Sequence, residues 1–261
     1  MKLNKKPLIM GIINVTPDSF SDGGKYNIAT KALRRALEME KEGADIIDIG
    51  GESTGPNSTN VTTEEELRRV IPVIKLIRKH SKLPISIDTY KAEVARQALE
   101  SGANIINDVT GLRGDINMAK IAAKYECPII IMHSKDHSPR TTTKNKHYKN
   151  VIEEIKKFLT KQIEYAKSNG IKKKNIIIDP GMGNFISKIP KYSFEILAKL
   201  YELKKMGYSI LIGISHKSFL GGSIEQREQK ALALSAIAYL NGASIIRTHD
   251  VKNTRLCLQW T

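Results

Sequence analysis

The sequence predicts an α/β fold, a single (β/α)8 barrel over residues 1–261, and three observations carry that expectation. Short apolar, β-branched runs alternate with longer helix-like segments, there are eight such runs, and no proline-rich, glycine/serine-rich or low-complexity linker divides the chain. A doubly wound open sheet is the alternative, but it more often sets irregular or helix-rich elements between two halves. With 261 residues and 41% hydrophobic composition, one large core can be filled.

The first run, "LIMGIIN" 8–14, follows "MKLNKK", and lysines ahead of a short apolar stretch resemble a secretory leader. No small-residue cleavage pattern follows, so the run reads as the first strand of a cytoplasmic protein. It opens into "NVTPDSFSDGG" 14–24, which carries two aspartates, three hydroxyl residues and a glycine pair and has almost nothing to bury. That connection looks built to meet a ligand.

The helix "NIATKALRRALEMEKEG" and the strand "ADIIDIG" 44–50 come next. In "TTEEELRRVIPVIKLIRKHS", Thr62 or Thr63 is placed to cap the helix, with Glu65 or Glu66 completing a capping box. "PISIDT" 84–89 and "KAEVARQALESG" form the third unit, and "NIINDV" 104–109 and "INMAKIAAKYE" the fourth. "PIIIMH" 128–133 precedes the long helix "HYKNVIEEIKKFLTKQIEYAKSNG"; "NIIIDP" 175–180 precedes "YSFEILAKLYELKKMG"; "SILIGIS" 209–215 precedes "QREQKALALSAIAYLNG". Several helices end in "EGAD", "SGAN", "SNGI" or "NGAS", where a glycine closes the helix in the left-handed region and a strand begins promptly. After "SIIRTHD" 244–250 only "VKNTRLCLQWT" remains, so the last helix is shortened and leaves apolar surface for a partner subunit.

Lys+Arg 42 against Asp+Glu 27 gives a net charge of +15. The lysines are scattered, without aromatic interleaving or a nucleic-acid module, so they read as a solvated surface that favours anionic substrates rather than nucleic acid. No apolar segment is long enough to cross a membrane. Cys127 and Cys257 are too few for a disulfide scaffold or a thiolate zinc site.

Polar residues recur at the carboxyl ends of otherwise apolar strands: Asn14, Asp48, Asp88, Asn107, His133, Asp179, Ser215, Arg247 and His249. Taken singly, Asp88 and Asp179 could cap helices, Asn107 could hold a turn, and His133 could be a satisfied rim histidine. Together they would converge on one mouth of a barrel. Carboxylates with asparagine suit a flat, donor-rich heterocycle, because Asp only accepts while Asn does both. Lys217, Arg247 and His249 bring positive charge or donors to the seventh and eighth strands, where this fold often holds phosphate. There is no complete P-loop, no HExxH and no GxSxG.

The blocks "GIINVTPDSFSDGG" 11–24, "DIGGEST" 48–54, "PISIDT" 84–89, "INDVTG" 106–111, "DPGMG" 179–183, "KSF" 217–219 and "RTHDV" 247–251 occur in order across nearly the whole chain. Through them the sequence resembles the dihydropteroate synthases, within the wider group of pterin-binding barrels. That resemblance implies transfer of the pterin methylene group from 6-hydroxymethyl-7,8-dihydropterin diphosphate to 4-aminobenzoate, giving 7,8-dihydropteroate and pyrophosphate for folate synthesis. It implies pterin contacts from Asp88, Asn107, Met132, Asp179 and Lys217. Asn14, Thr54, Arg247 and His249 would meet the diphosphate, with Asn14 also holding Mg²⁺. Asn14, Asp88, Lys217, Arg247 and His249 would form the catalytic set, with Ser215 and Phe185 near the second substrate. A homodimer is implied as well, and the opening loop, with Asp18, Ser19, Phe20, Gly23 and Gly24, would close over the reacting groups.

Three positions depart from the pattern: "ESTGP" has Gly55 where an arginine is usual, "NFISK" has Asn184 where an aromatic is usual, and "SHKS" has His216 for an arginine. All three gather around the second substrate and loop closure. An enzyme using another amine, a pterin binder with little synthase activity, and a pterin-dependent methyltransferase are the alternative readings; "SFSDGG", "KSF" and "RTHD" suit diphosphate handling better than the last.

Overall fold

The computed structural model describes residues 6–16 and 25–259. Its eight strands are β1 (Leu8–Asn14), β2 (Ile46–Gly50), β3 (Ile85–Asp88), β4 (Ile105–Asp108), β5 (Ile129–Met132), β6 (Ile176–Asp179), β7 (Ser209–Gly213) and β8 (Ile245–Thr248). Each is parallel to the next, and β8 pairs with β1 to close the barrel. The helices around it are α1 (Lys25–Lys41), α2 (Thr63–His80), α3 (Ala92–Glu100), α4 (Met118–Lys124), α5 (Val151–Ser168), α6 (Pro190–Ala198), α7 (Leu200–Lys204), α8 (Ile224–Leu240) and α9 (Val251–Leu258). The single-domain barrel expected from the alternating runs is present. Among the described residues no helix is long and apolar enough to cross a membrane.

Local chemistry explains the helix boundaries. Thr62 caps α2, accepting from the Glu65 amide at 3.2 Å, while acidic side chains open the helix and basic ones end it, opposing its dipole. Asn150 accepts from the amides of Ile152 and Glu153, so α5 starts at Val151 rather than at His147. Ser223 and Gln226 form a full capping box at α8 that the sequence reading did not single out. The segment 192–207, read as one helix, starts earlier at Pro190 and breaks at Lys199, whose φ of −106° and ψ of 17° leave the helical range. Gly43, Gly102, Gly170 and Gly242 all have positive φ, as the repeated glycine endings predict.

The final helix is short, as expected, and Arg255 holds it in place. Its guanidinium donates to the Gly43 carbonyl at 2.6 Å and pairs with Asp45, joining α9 to the turn between α1 and β2. The main core lies between strands and helices, and a second, smaller cluster of Met10, Ile46, Ile105, Ile130, Leu211 and Ile245 fills the barrel interior. That inner cluster is the floor on which the site stands.

Candidate active site

Strand side chains alternate between the two faces of a sheet, so the residues two positions beyond the inner apolar cluster also face the barrel interior. Those residues are Ile12, Asp48, Asn107, Met132, Asp179, Gly213 and Arg247, with Asp88 beside Asn107 in the register. Apolar gives way to polar within one step of the alternation. Asn14, Ser215 and His249 follow one step further out.

His133 does not join them. One residue beyond Met132, it has the opposite facing, and its ring meets Phe158 of α5 edge-on at 5.0 Å. Burial holds its imidazole far below the usual value, at about 3, so it is neutral packing between barrel and helix rather than part of the mouth.

The mouth opens as a cavity of about 360 Å³ lined by Asn14, Thr54, Asp88, Phe185, Ser215, Lys217, Arg247 and His249 among others. Asn107, Met132 and Asp179 lie deeper and are buried. A larger groove of about 600 Å³ runs between α1 and α2, but it holds none of the predicted residues; the expected closing-loop residues Asp18, Ser19, Phe20, Gly23 and Gly24 lie outside the described residues.

Arg247 organises the centre. Its guanidinium donates to Asp48 at 2.6 Å and to Asp88 at 2.7 Å, and Asn107 donates to Asp48 at 3.2 Å. Burial would lower the guanidinium, yet Asp48 and Asp88 outweigh it and hold Arg247 above its ordinary value. Burial pushes the Asp88 carboxyl up, against the pull of Arg247. Asp179 accepts from the Gly181 amide at 2.7 Å, and burial raises its carboxyl to about 6. Only glycine fits at 181, because a Cβ there would stand 2.3 Å from the His133 carbonyl oxygen. Lys217 is lowered to about 8 by burial and by Arg247, and its ammonium lies 4.9 Å over the Phe185 ring.

On the β7–β8 side, the Ser215 hydroxyl is 2.9 Å from Nδ1 of His249, whose ring stacks on His216 at 4.1 Å. His216 Nε2 meets Glu228 of α8 at 2.8 Å. Burial brings His249 down to about 3, leaving it a neutral hydrogen-bonding group. The arrangement offers buried acceptors at one end and cations, amides and hydroxyls at the other.

The family model for pterin binding enzymes matches residues 10–249, spanning every strand but the first two residues of β1. The chain belongs to the pterin-binding enzyme family. Within it, the chain is 45% identical to the dihydropteroate synthase of Clostridium beijerinckii, over 97% of this chain and 93% of the relative. The dihydropteroate synthase of Clostridium difficile, solved in the presence of pteroic acid, superposes with a TM-score of 0.91 at 44% identity, covering 99% of this chain and 97% of that one. The Xanthomonas albilineans dihydropteroate synthase with 4-aminobenzoic acid gives 0.90 at 40% identity, covering 99% and 92%.

Against the dihydropteroate synthase pattern, the three departures fall on loops. Gly55 lines the cavity, and a side chain there would meet only Ser53 Oγ, at 3.5 Å. Phe185 sits in the short turn Gly183–Phe185 and lines the cavity. Asn184 is held through its carbonyl, which accepts from Lys135 Nζ at 2.6 Å.

Sequence reasoning missed Glu52, Tyr90, Lys91 and Arg140. The Glu52 carboxylate takes Lys91 Nζ at 2.5 Å, the Tyr90 hydroxyl at 3.2 Å and the Arg140 guanidinium. Glu52 stood within "DIGGEST", so its block carried a signal. Nothing in "HSKDHSPRTTTKNKHYKN" singled out Arg140.

Proposed function

We propose that this cavity joins 6-hydroxymethyl-7,8-dihydropterin diphosphate to 4-aminobenzoate, forming 7,8-dihydropteroate and pyrophosphate in folate biosynthesis. One observation carries the reading: Asp88, Asn107 and Asp179 stand at strand ends, and Lys217, from the loop after β7, lines the same cavity as Asp88, Arg247, His249 and Asn14. In this reading Asp179 and Asp88 accept from the pterin's ring N–H and amino groups, Asn107 supplies both donor and acceptor, and Lys217 donates to the pterin carbonyl and ring nitrogen. Met132, packed with Val109 and Phe185, gives the flat ring an apolar face.

Arg247, His249 and Thr54 receive the diphosphate. As the methylene C–O bond breaks, its electron pair leaves with pyrophosphate, and donors held in place for the developing charge lower the barrier. The arylamine nitrogen supplies the new bond to carbon and then loses its proton. An aromatic amine is already a nucleophile, so Ser215 and Phe185 need only place it. No protein nucleophile is required.

Magnesium belongs to the same proposal. Among the described residues no group of three or more His, Cys, Asp and Glu could hold a metal, so a cage made by the protein alone is not the model. Asn14 presents an amide oxygen beside the diphosphate subsite, and Mg²⁺ is commonly held by one or two protein oxygens together with phosphate and water. When bound it supplies counter-charge to the leaving group.

The proposed homodimer uses a second copy of this chain against α8 and α9, where Ile237, Leu240 and Leu256 are exposed. Light scattering of the purified protein, with Leu256→Glu as the disrupting variant, tests it. The activity is tested by mass spectrometry after incubation with the pterin diphosphate, Mg²⁺ and a panel of amines. Dihydropteroate and pyrophosphate with 4-aminobenzoate support the reading, a different amine adduct moves it to another second substrate, and no adduct with any amine removes it.

A further inference from the structure

The connection from β5 to α5, residues 133–150, is long and forms no helix or strand, yet part of it is fastened at both ends. Toward β6, the Lys135 amide donates to the Phe185 carbonyl at 2.8 Å. Lys135 Nζ and the Thr141 hydroxyl both donate to the Asn184 carbonyl, at 2.6 Å and 2.8 Å. Toward β2, the Thr141 amide donates to the Thr54 carbonyl at 3.1 Å. Arg140 donates from Nε to the Ser58 carbonyl at 3.1 Å, from a terminal nitrogen to the Thr59 carbonyl at 3.0 Å, and pairs with the Glu52 carboxylate.

In an eight-stranded closed barrel, β2 and β6 lie on opposite sides. Thr141 alone bonds to the loops after both, through its amide to Thr54 and its hydroxyl to Asn184, so the segment passes between them over the mouth. Asp136 stiffens the crossing, accepting from Lys135 Nζ at 2.7 Å and from the Thr142 amide at 2.8 Å, and Arg113 anchors its near end through the Asp136 carbonyl at 2.8 Å. The far end is tied to a charge-balanced cluster: Lys91 bridges Glu52 and Glu66 at 2.5 Å each, and Arg140 supplies the second cation. Of the residues whose carbonyls the crossing grips, Thr54 and Phe185 line the cavity.

We propose that residues 134–142 are a strap across the barrel mouth, and that Arg140, acting through Glu52, is a positioning residue that sets the gap between Thr54 and Phe185 for the second substrate. This rests on the reading that an arylamine occupies that gap. The acceptors assigned to the pterin ring are outside the strap's control, because Asp88, Asn107 and Asp179 stand on the strands themselves, whereas Thr54 also faces the diphosphate subsite. Loosening the strap therefore affects the two substrates unequally.

The test is steady-state kinetics of Arg140→Ala and Arg140→Lys with each substrate varied in turn, alongside thermal melting of each variant. Arg140→Ala raises KM for 4-aminobenzoate about tenfold and leaves the calorimetric dissociation constant of 6-hydroxymethyl-7,8-dihydropterin, which lacks the diphosphate that Thr54 meets, within about twofold, since misplacing one substrate wall does not touch the strand acceptors. Arg140→Lys recovers part of the loss, because an ammonium reaches Glu52 but cannot also span the Ser58 and Thr59 carbonyls; if the alanine variant fails to fold, a KM rise of about threefold in the lysine variant carries the test. An unchanged KM in folded variants, or an equal loss for 4-aminobenzoate and for the pterin without its diphosphate, overturns the strap while leaving the functional reading standing. A wild-type protein that forms no adduct overturns both.

Discussion

Replacing Asp179 by asparagine removes one charge and leaves the side chain's shape nearly unchanged. The carboxyl is buried, and the burial raises it from an ordinary 3.8 to about 6. At about 1.4 kcal/mol per pKa unit, the ionised form is disfavoured in the empty protein by about 3 kcal/mol. Asparagine keeps an oxygen for the Gly181 amide but brings a buried amide N–H₂ group, which returns roughly 1–2 kcal/mol of that relief if left unpaired. The ligand-free variant should thus be more stable at pH 7 by about 1–2 kcal/mol, a melting temperature higher by roughly 2–6 °C.

The sign follows from the raised carboxyl. Below about pH 4 the group is protonated in folded and unfolded chains alike and contributes no difference; the destabilisation grows as pH rises and is full above about 6. The variant's advantage should accordingly disappear at about pH 5 and reverse toward pH 4, where only the cost of the unpaired amide remains. Pterin binding moves the other way, because losing a charge-assisted acceptor costs about 1.5–3 kcal/mol, roughly 10- to 150-fold in affinity. Calorimetry with the pterin diphosphate and thermal melts from pH 4 to 8 read both effects. Unchanged affinity in a folded variant, or a melting temperature several degrees lower at pH 7, would refute the assignment of Asp179 as a strained acceptor held ready for ligand.

Arg247→Ala should lose more than phosphate affinity: it leaves the Asp48 and Asp88 carboxylates unpaired, so urea unfolding should show a loss of about 3–5 kcal/mol, partly recovered by adding Asp48→Asn. A stable single variant would show that those pairs contribute nothing. Phe185→Ala should raise KM for 4-aminobenzoate, whereas Asn184→Phe should give no gain, because Phe185 already lines the cavity; a faster Asn184→Phe enzyme would mean that the ring at 185 does not serve the substrate. The kcat/KM for the pterin diphosphate should fall as pH drops through about 6, where Asp179 protonates, and as it rises through about 8, where Lys217 loses its charge. A flat profile from pH 5 to 9 would separate both groups from binding.

The barrel could be read from the sequence because its parallel strands are covered on both faces and appear as near-continuous apolar runs with polar ends. The site residues on strands were readable for the same reason: two-residue alternation carries the facing of Met10 forward to Asn14 and of Ile130 to Met132. His133 shows how sharp that rule is, since a shift of one residue sends a strand-end histidine against Phe158 instead of into the mouth. Asp48 was visible as a strand-end polar residue, but its pairing with Arg247 joins positions 199 apart in sequence, which no local pattern encodes. The strap was invisible because irregular backbone has no period, and its fastenings are mostly to carbonyls, which every residue possesses.

This division explains where the chain departs from the dihydropteroate synthase pattern. Asp88, Asn107 and Asp179 stand on rigid strands over a packed floor, where moving one acceptor would disturb a register shared with its neighbours. Gly55, Asn184 and His216 stand on connections, and each has its local work taken up elsewhere: Arg140 brings a cation to the β2 loop, Phe185 brings a ring to the cavity, and His216 stacks on His249 while paired to Glu228. A loop position can exchange its chemistry with a neighbour because many backbone paths present a side chain to the same space. A strand position cannot, because its facing is set by the pleat. With the residue roles proposed above, second-substrate preference is therefore the property most open to change in this chain, and pterin recognition the least.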